Sequence, residues 1–262
     1  MTQAPVGAAG RIVTGAEYVK QITALESDRR ARAAFHDLVL RIAPRGAPVL
    51  DFGCGTGIDA RFYAERGFTV LAYDVDPQMC DFFEQQCRDL IAAGRVSLER
   101  GDYRSFLARG GARGIALVAS NFAPLNLISN LRELFARFAE LTGSDGRVLA
   151  SVLSPYFIGD LRYGWWWRNA LRLWREGCFS VAGAQAPIVR RRLADFATQS
   201  EPYFTLTRVF PGRPRQDACG IEFGPGRGRA WLRLTTCRYM FLLFEKPLGP
   251  KAQGRGSGGR HG

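Results

Sequence analysis

The feature that most limits the fold of this chain is a glycine-rich stretch at residues 49–76, VLDFGCGTGIDARFYAERGFTVLAYDVD. Apolar residues up to Phe52 predict a buried strand, and glycines then occupy the alternate positions 53, 55 and 57. Glycine adopts backbone conformations that a side chain forbids, and it lets a ligand approach the main chain closely. We predict a helix from Ile58, whose N-terminus presents unpaired N–H groups and the positive end of the helix dipole. The stretch is therefore typical of a strand–turn–helix unit that binds an anionic group.

A carboxylate follows the next predicted strand, where it is placed to bind a ribose. This strand runs from Phe68 to Tyr73 and is followed by Asp74, 17 residues after Gly57. At the tip of the strand beside the glycine turn, such a carboxylate accepts hydrogen bonds from two ribose hydroxyls. The glycine spacing is not the dinucleotide fingerprint G-x-G-x-x-G, because residue 58 is Ile.

An acidic residue, Asp51, stands two positions before the first glycine and completes the pattern D-x-G-x-G-x-G. With Asp74, Gly101-Asp102-Tyr103 and Ser120-Asn121, this pattern resembles the class I S-adenosylmethionine-dependent methyltransferases over about residues 49–155. The resemblance implies S-adenosyl-L-methionine as the cofactor, with Asp102 and Tyr103 at its adenine. The residues that it implies for cofactor binding are Asp51, Gly53, Cys54, Gly55, Gly57, Asp59, Asp74, Val75, Asp102, Tyr103 and Asn121. The alternative is a domain of the same fold class that binds another nucleotide or no ligand.

Alternating strand and helix patterns predict an α/β fold with a doubly wound parallel sheet. The first five predicted strands span residues 47–52, 68–73, 95–100, 115–119 and 146–153, with helices at 58–66, 77–93 and 130–141 between them. Apolar runs at 203–210 and 236–245 predict two more strands, which the resemblance places in an antiparallel hairpin. We therefore expect a seven-stranded, mostly parallel sheet. Ligands of such sheets bind beyond the carboxyl ends of the strands, where the predicted cofactor residues fall.

The chain is expected to divide into three regions. Residues 1–46 are predicted to form a helical segment that covers the cofactor site, in which Tyr18 and Gln21 are candidate lid residues. A helix is predicted there from Asp28 to about Ala43, with Ser27 as its cap. Residues 47–248 are expected to form the methyltransferase domain. Residues 249–262 are rich in glycine and basic residues, which predicts a disordered tail.

Aromatic residues are concentrated after the fifth predicted strand, in an expected insertion at about residues 156–200. The resemblance implies that such an insertion covers a small-molecule acceptor, with aromatic side chains forming a pocket and arginines holding an anionic group. The predicted substrate residues are Tyr156, Tyr163, Trp166 and Trp167. Two alternatives stay open: the aromatic residues pack on the sheet, or a basic and aromatic helix makes peripheral contact with a membrane surface.

No residue stands out as the catalytic base. Histidine is the commonest general base, and the weak candidates are His36, Tyr18 and Tyr163. Asn121-Phe122-Ala123-Pro124 differs from the Asp/Asn-Pro-Pro-Phe/Tyr tetrapeptide of the amino-methyltransferases, which argues against methylation of adenine or glutamine. The main contribution expected of the enzyme is to align the acceptor with the methyl group and to exclude water.

Positive charge is concentrated in the C-terminal part of the chain. Residues 1–150 contain 18 Lys and Arg against 17 Asp and Glu, whereas residues 151–262 contain 18 against 7. This asymmetry indicates an anionic partner: nucleic acid, a membrane surface or an acidic small molecule. We favour a small-molecule acceptor and leave O-, N- or C-methylation open. Two alternatives remain: an RNA or protein methyltransferase that uses the basic half, and a non-catalytic partner protein that keeps the fold.

The six cysteines show no C-x-x-C spacing, so we predict no metal site and expect free thiols. Free thiols are typical of the reducing cytoplasm, where we expect the protein to be. No apolar run approaches the roughly 18 residues that span a bilayer, and the first residues lack the basic start and apolar stretch of a signal peptide.

Overall fold

A computed structural model describes residues 25–109, 113–181, 187–213, 220–223 and 234–247. The helices are α1 (Glu26–Ile42), α2 (Ile58–Glu65), α3 (Pro77–Gln86), α4 (Arg88–Ala92), α5 (Tyr103–Ala108), α6 (Leu131–Leu141), α7 (Gly164–Glu176) and α8 (Leu193–Ser200). The strands are β1 (Pro48–Phe52), β2 (Thr69–Asp74), β3 (Val96–Arg100), β4 (Ile115–Ser120), β5 (Thr142–Leu153), β6 (Cys178–Val181), β7 (Ile188–Arg191), β8 (Thr205–Pro211), β9 (Ile221–Glu222) and β10 (Tyr239–Glu245). Single 3-10 turns span Pro124–Leu127 and Ile158–Asp160. Tyr18, Gln21 and the predicted tail at 249–262 lie outside the described residues.

Eight strands of the described residues form one sheet, in the order β3-β2-β1-β4-β5-β10-β8-β9. β1 to β5 pair with one another in parallel, whereas β10 is antiparallel to both β5 and β8. The α/β class and the mostly parallel sheet are confirmed. The predicted number of seven strands is wrong, because β9 pairs with β8 and adds an eighth. A strand of two residues is too short to produce a recognisable alternation of apolar and polar side chains.

Helices cover both faces of the sheet. Successive residues of a strand point to opposite faces, so Val49 and Leu50 of β1 join different buried clusters. Val49 lies in the cluster that contains Phe35 of α1 and Tyr63 of α2. Leu50 lies in the cluster that contains Phe135 of α6. All of these side chains are fully buried, and the doubly wound arrangement is confirmed.

Two predicted helices differ from those observed. α1 begins at Glu26, and its N-cap is Leu25, which makes no side-chain cap. Ser27 therefore lies inside the helix, where its hydroxyl donates to the Asp28 carboxylate at 3.4 Å. The helix predicted over residues 77–93 is two helices, α3 and α4, which meet at Cys87. No glycine or proline marks this break, so the sequence pattern could not reveal it.

The segment between β5 and β8 forms a small layer of its own. β6 and β7 pair as an antiparallel hairpin, α7 packs against β6, and β7 contacts the 3-10 turn that follows β4. Asn126 of that turn connects β7 with the end of β5. Its Nδ2 donates to Val189 O at 2.6 Å, and its Oδ1 accepts from Leu153 N at 2.9 Å. The segment therefore borders the loop after β4. The assignment of residues 156–200 as an insertion stays a prediction.

The described residues contain neither a membrane-spanning helix nor a cluster of metal-binding side chains. No helix in these ranges is both long enough and apolar enough to cross a membrane. No group of three or more His, Cys, Asp or Glu side chains within the described ranges is arranged to hold a metal ion.

Candidate active site

The carboxyl ends of the first four strands meet at one edge of the sheet. The parallel register sets Asp51 of β1 opposite Ala72 of β2 and Ala119 of β4, and Asp74 of β2 opposite Arg100 of β3. The loops that follow these strands are therefore neighbours. They contain the glycine turn, Asp74, Asp102 and Asn121, and this edge is where ligands bind in open α/β sheets.

The three glycines of the turn are needed for different reasons. All have positive φ, +74° at Gly53, +52° at Gly55 and +85° at Gly57. A Cβ at Gly53 would lie 2.5 Å from Pro124 Cγ, and one at Gly57 would lie 2.8 Å from Phe83 Cδ2. A Cβ at Gly55 would meet no atom of the described residues within 4 Å. Gly53 is required by packing against the loop after β4, and Gly57 by packing against α3. Gly55 borders open space.

Asp74 is held against the glycine turn. Gly55 N donates to its Oδ2 at 2.8 Å, and Asp76 N donates to its Oδ1 at 2.9 Å. Burial raises the pKa of Asp74, and these two N–H groups oppose the rise. A carboxylate has about four acceptor positions, so both oxygens keep capacity for further donors. Asp76 caps α3 as predicted, because it accepts from Gln78 N at 2.9 Å.

A buried charged network connects α1 with α2 and the β4 loop. Asp59, in the first turn of α2, has Arg32 Nη1 at 2.5 Å and His36 Nε2 at 2.6 Å from its Oδ1. Asn121 Nδ2 donates to its Oδ2 at 3.1 Å. Burial alone would raise the pKa of Asp59, but the charge of Arg32 and the hydrogen bond with His36 outweigh it and lower the pKa to about 2. An ionised Asp59 therefore holds α1 beside the glycine turn.

Arg32 and Phe122 also belong to this region, although the sequence patterns did not single them out. The Arg32 guanidinium carbon lies 4.4 Å from the centre of the Phe122 ring. The available signal for Arg32 was its spacing from His36, since residues i and i+4 share one face of a helix. Phe122 and Ala123 have φ of +59° and +71°. Residues other than glycine rarely adopt these values, which are found preferentially at functional sites, and no local sequence signal indicates them.

Asp51 lies buried beneath the turn. It is 1% exposed, and its Oδ2 has no hydrogen-bond partner among the residues that the structure describes. Burial, together with the nearby carboxylates of Asp59 and Asp74, raises the pKa of Asp51 well above its ordinary value. A buried polar atom without a partner costs free energy, which a donor supplied at the turn would recover.

The other predicted cofactor residues, which are Cys54, Val75, Asp102 and Tyr103, each have different surroundings. Cys54 is buried, and burial raises the pKa of its thiol, which makes it unreactive. Val75 is exposed. Asp102 caps α5, because its Oδ1 accepts from Ser105 N at 2.9 Å. Tyr103 packs against the cluster that contains Leu50, and its hydroxyl is buried without a partner. The adenine contacts of Asp102 and Tyr103 stay predictions.

The predicted substrate residues lie near one another around the start of α7 but differ in exposure. Trp166 is half-buried, and its Nε1 donates to Pro155 O at 3.2 Å, whereas Trp167 is 62% exposed. Tyr156 packs on the cluster that contains Leu50. Tyr163 precedes α7, and its ring lies 6.3 Å from that of Trp165. Trp166 and Tyr156 thus face the protein, while Trp167 faces outward.

Of the candidate bases, His36 has the best-defined surroundings. Besides its contact with Asp59, its imidazole stacks on the Phe62 ring, with the ring centres 3.7 Å apart. A buried ring held between a carboxylate and an aromatic side chain favours a structural role over that of a base. Tyr18 lies outside the described residues, and Tyr163 stays a prediction.

Arg190 of β7 is a buried cation beyond the end of β5. Its Nη1 donates to Ser154 O at 2.7 Å, its Nη2 lies 3.6 Å from Asp160 Oδ2, and its Nε has no partner in the described part of the chain. Burial lowers the pKa of Arg190, and the Asp160 carboxylate opposes this effect. In the sequence it is one of many arginines of the basic C-terminal part, and nothing there assigns it a role of its own. Burial sets it apart from most of these arginines, and its neighbour Arg191 is buried as well.

Comparisons with known proteins identify the family. A family model described as a methyltransferase domain matches residues 25–184. A curated relative, magnesium-protoporphyrin O-methyltransferase of Rhodobacter capsulatus, is 32% identical over 95 residues, which are 35% of this chain and 41% of that protein. The aligned part thus spans less than half of the relative's length.

Solved structures share the fold at low sequence identity. A TehB-like S-adenosylmethionine-dependent methyltransferase from Corynebacterium glutamicum superimposes with a TM-score of 0.56 at 18% identity, covering 88% of this chain and 96% of that one. The 1,6-didemethyltoxoflavin-N1-methyltransferase of Burkholderia thailandensis, solved with its substrate and S-adenosylhomocysteine, gives 0.55 at 19% identity, covering 94% and 95%. Because the family model covers more than half of the sequence and the fold agrees, the chain belongs to the class I S-adenosylmethionine-dependent methyltransferases.

Proposed function

We propose that the chain transfers the methyl group of S-adenosylmethionine to a small-molecule acceptor bound beyond the carboxyl ends of β4 and β5. The observation that carries the cofactor half of this proposal is the contrast among the three glycines. Only Gly55 has open space on its Cβ side, and its amide is the one that bonds to Asp74. Packing among the described residues does not require a glycine at position 55, although its φ of +52° favours one. The open space on its Cβ side leaves room for a ligand to approach the main chain closely.

The residues present fit the cofactor. Asp74 would accept hydrogen bonds from the ribose hydroxyls, since its oxygens keep acceptor capacity beyond Gly55 N and Asp76 N. The first turn of α2 would face the amino-acid end of the cofactor, with Asp59 already paired to Arg32. Asp51 Oδ2, buried and without a partner, would gain a donor at the turn. When bound, S-adenosylmethionine supplies an electrophilic methyl group on a sulfonium.

The contribution of the chain is to orient the acceptor and to exclude water. Two hydrogen bonds fix the loop after β4 in a position suited to this role, because Asn121 Nδ2 donates to Asp59 and Ala123 N donates to Ser151 O at 3.0 Å. These bonds hold Phe122 and Ala123 in their unusual backbone conformation beside the turn. A rigid loop of this kind sets the direction from which the acceptor approaches. No described side chain is assigned as a base, and the acceptor atom stays open.

An anionic group on the acceptor is supported by Arg190. Arg190 is 8% exposed, and its Nη1 donates to Ser154 at the end of β5, the strand next to β4. Its Nε has no partner among the described residues. A buried guanidinium binds a carboxylate or phosphate strongly, because its N–H groups form a planar fork. Asp160 only partly compensates it, at 3.6 Å. Trp166 and Tyr156 stay candidates for the apolar part of the site.

The relatives support a small acceptor over a polymer. Their names state methylation of magnesium-protoporphyrin in one case and of 1,6-didemethyltoxoflavin in the other. The RNA or protein alternative rests on the excess of basic residues in the C-terminal part of the sequence. A non-catalytic role is disfavoured by the glycine turn and Asp74, which keep the geometry that cofactor binding needs.

The test is transfer of label from tritiated S-adenosylmethionine to a cell extract divided by size into metabolites, RNA and protein. We expect label in the metabolite fraction with the wild-type chain and a loss of most of it with Asp74→Ala. Asp76→Ala, which removes a helix cap rather than a ribose contact, is the matched control and should keep transfer per folded molecule. Label confined to RNA or protein, or no label above the Asp74→Ala level in any fraction, would contradict the proposal.

A further inference from the structure

Helix α7 exposes an apolar stripe to solvent. Trp167, Leu171 and Trp174 are 62%, 54% and 72% exposed, and their spacing of four and three residues places them on one face of the helix. The opposite face packs on the protein: Leu173 is buried, and Trp166 donates to Pro155 O. The exposed stripe is therefore not the side by which α7 is attached.

A positive stripe runs beside the apolar one. Each of the three apolar residues is followed directly by an arginine, at positions 168, 172 and 175. Consecutive residues are about 100° apart around a helix, so the arginines form a parallel row, and all three are exposed. Glu176 is the single acidic residue of the helix and lies at its end. The solvent side of α7 is thus half apolar and half cationic.

The apolar surface continues into the turn before α7. Ile158 and Leu161 are both exposed. Trp167 Nε1 donates to Leu161 O at 2.7 Å, which holds the indole against this turn. A run of large apolar side chains of this extent is uncommon on the surface of a monomer and marks an interaction site.

We propose that α7 docks the protein on an anionic lipid surface, with Trp167, Leu171 and Trp174 inserted at the headgroup level and the arginine row against the lipid phosphates. Helices that lie in a membrane interface combine a tryptophan- and leucine-containing face with lysine or arginine beside it. Tryptophan is itself enriched at that depth. The excess of positive charge in residues 151–262 adds a long-range attraction of the same sign. This inference does not depend on which acceptor is methylated.

Other occupants fit this surface less well. In a two-fold contact between antiparallel copies of α7 the same patch meets itself, which places both arginine rows on one side of the contact, where they repel. Nucleic acid is bound mainly through phosphates, which would engage the arginines but leave Leu171 and the exposed turn residues uncovered. An anionic lipid surface can contact both, since its apolar part receives the apolar stripe and its phosphates pair with the arginine row.

The test is co-sedimentation of the full chain with vesicles, comparing wild type with the double variant Leu171→Glu/Trp174→Glu. The vesicles contain phosphatidylglycerol and phosphatidylcholine in equal parts, at low salt. We expect the wild type to partition onto them, and the double variant to lose about tenfold or more in partition coefficient, because inserted apolar side chains supply the binding energy. Arg172→Gln/Arg175→Gln should lose the preference for these vesicles over pure phosphatidylcholine.

Leu40→Glu is the matched control, since Leu40 is an exposed leucine on a different helix, α1. It should bind vesicles as the wild type does, and calorimetric titration with S-adenosylhomocysteine should show that all variants are folded. The proposal is overturned if the wild type does not sediment with anionic vesicles, or if the double variant sediments as well as Leu40→Glu. It is also overturned if the double variant loses only poly-uridine binding, which assigns the face to nucleic acid, or only self-association in sedimentation equilibrium, which assigns it to a second copy.

Discussion

At the scale of single residues, two glycines of the turn are needed for different reasons: Gly55 for ligand binding and Gly57 for packing. Gly55 and Gly57 both have positive φ, but only at Gly57 would a Cβ collide with neighbouring side chains. A methyl group at either position strains the backbone by about 1 kcal/mol. At Gly57 the contact with Phe83 adds about 1–3 kcal/mol of overpacking.

The two alanine variants should therefore behave differently. We expect Gly55→Ala to melt close to the wild type and to lose about tenfold or more in affinity for S-adenosylhomocysteine, because the methyl group occupies the ligand's side of the turn. Gly57→Ala should show the larger fall in melting temperature. Thermal melts and calorimetric titrations of both variants make the comparison. Equal losses of stability and affinity in the two variants would show that the turn does not divide these roles.

The ionisation of Asp59 should make the free energy of unfolding depend on pH. Its pKa is lowered in the folded chain from 3.8 to about 2, so its stabilising contribution is complete above pH 3.8 and is lost as the pH falls toward 2. Asp59→Asn lacks the charge and should cost about 3 kcal/mol at neutral pH, since it leaves Arg32 buried without its partner. The difference in unfolding free energy between the two proteins should narrow as the pH falls through that interval. Denaturant unfolding at several pH values measures it, and a constant difference would contradict the assignment.

At the scale of elements, α1 and the glycine turn are coupled through Asp59, which bonds to Arg32 and His36 of α1 and to Asn121 of the β4 loop. Order imposed on the turn by a ligand should therefore be transmitted to α1. We expect S-adenosylhomocysteine to slow hydrogen exchange of the α1 amides around Phe35, and to leave those around Leu173 of α7 unchanged. Exchange measured with and without ligand tests this, and equal protection of the two helices would argue against a specific connection.

The elements that sequence could predict are those with a strong periodic pattern. β4 was predicted because buried parallel strands form apolar runs, and β3 because Val96 and Leu98 alternate with polar residues. α6 was predicted because Leu134, Phe135 and Phe138 recur at helical spacing. The hairpin of β6 and β7 has strands of four residues each, too short for a clear pattern. The positive φ of Phe122 and the burial of Arg190 arise from tertiary contacts, which no local pattern encodes. The same is true of the pairing of Arg32 with Asp59.

At the scale of the whole molecule, the two proposed functions use different parts and different forces. The cofactor site lies in the nearly neutral part of the sequence, residues 1–150, and the docking surface in the basic part, residues 151–262. Raising the salt concentration to about 0.5 M screens exposed charges. We therefore expect vesicle binding to fall severalfold while affinity for S-adenosylhomocysteine changes less than twofold, roughly. Parallel salt titrations of both activities test this, and a parallel fall would show that the two surfaces are not independent.

The central claim is that a nucleoside cofactor binds at the glycine turn and that the Asp74 carboxylate accepts hydrogen bonds from its ribose hydroxyls. Calorimetric titration of S-adenosylhomocysteine into the wild type, Asp74→Ala and Asp76→Ala tests it most directly. We predict one site in the wild type and a loss of about 1.5–3 kcal/mol in Asp74→Ala, the range for hydrogen bonds to a charged group. Asp76→Ala should keep most of the affinity for S-adenosylhomocysteine. Its melting temperature should fall instead, because Asp76 caps α3. No binding to the wild type, or a larger loss of affinity in Asp76→Ala than in Asp74→Ala, would contradict this claim.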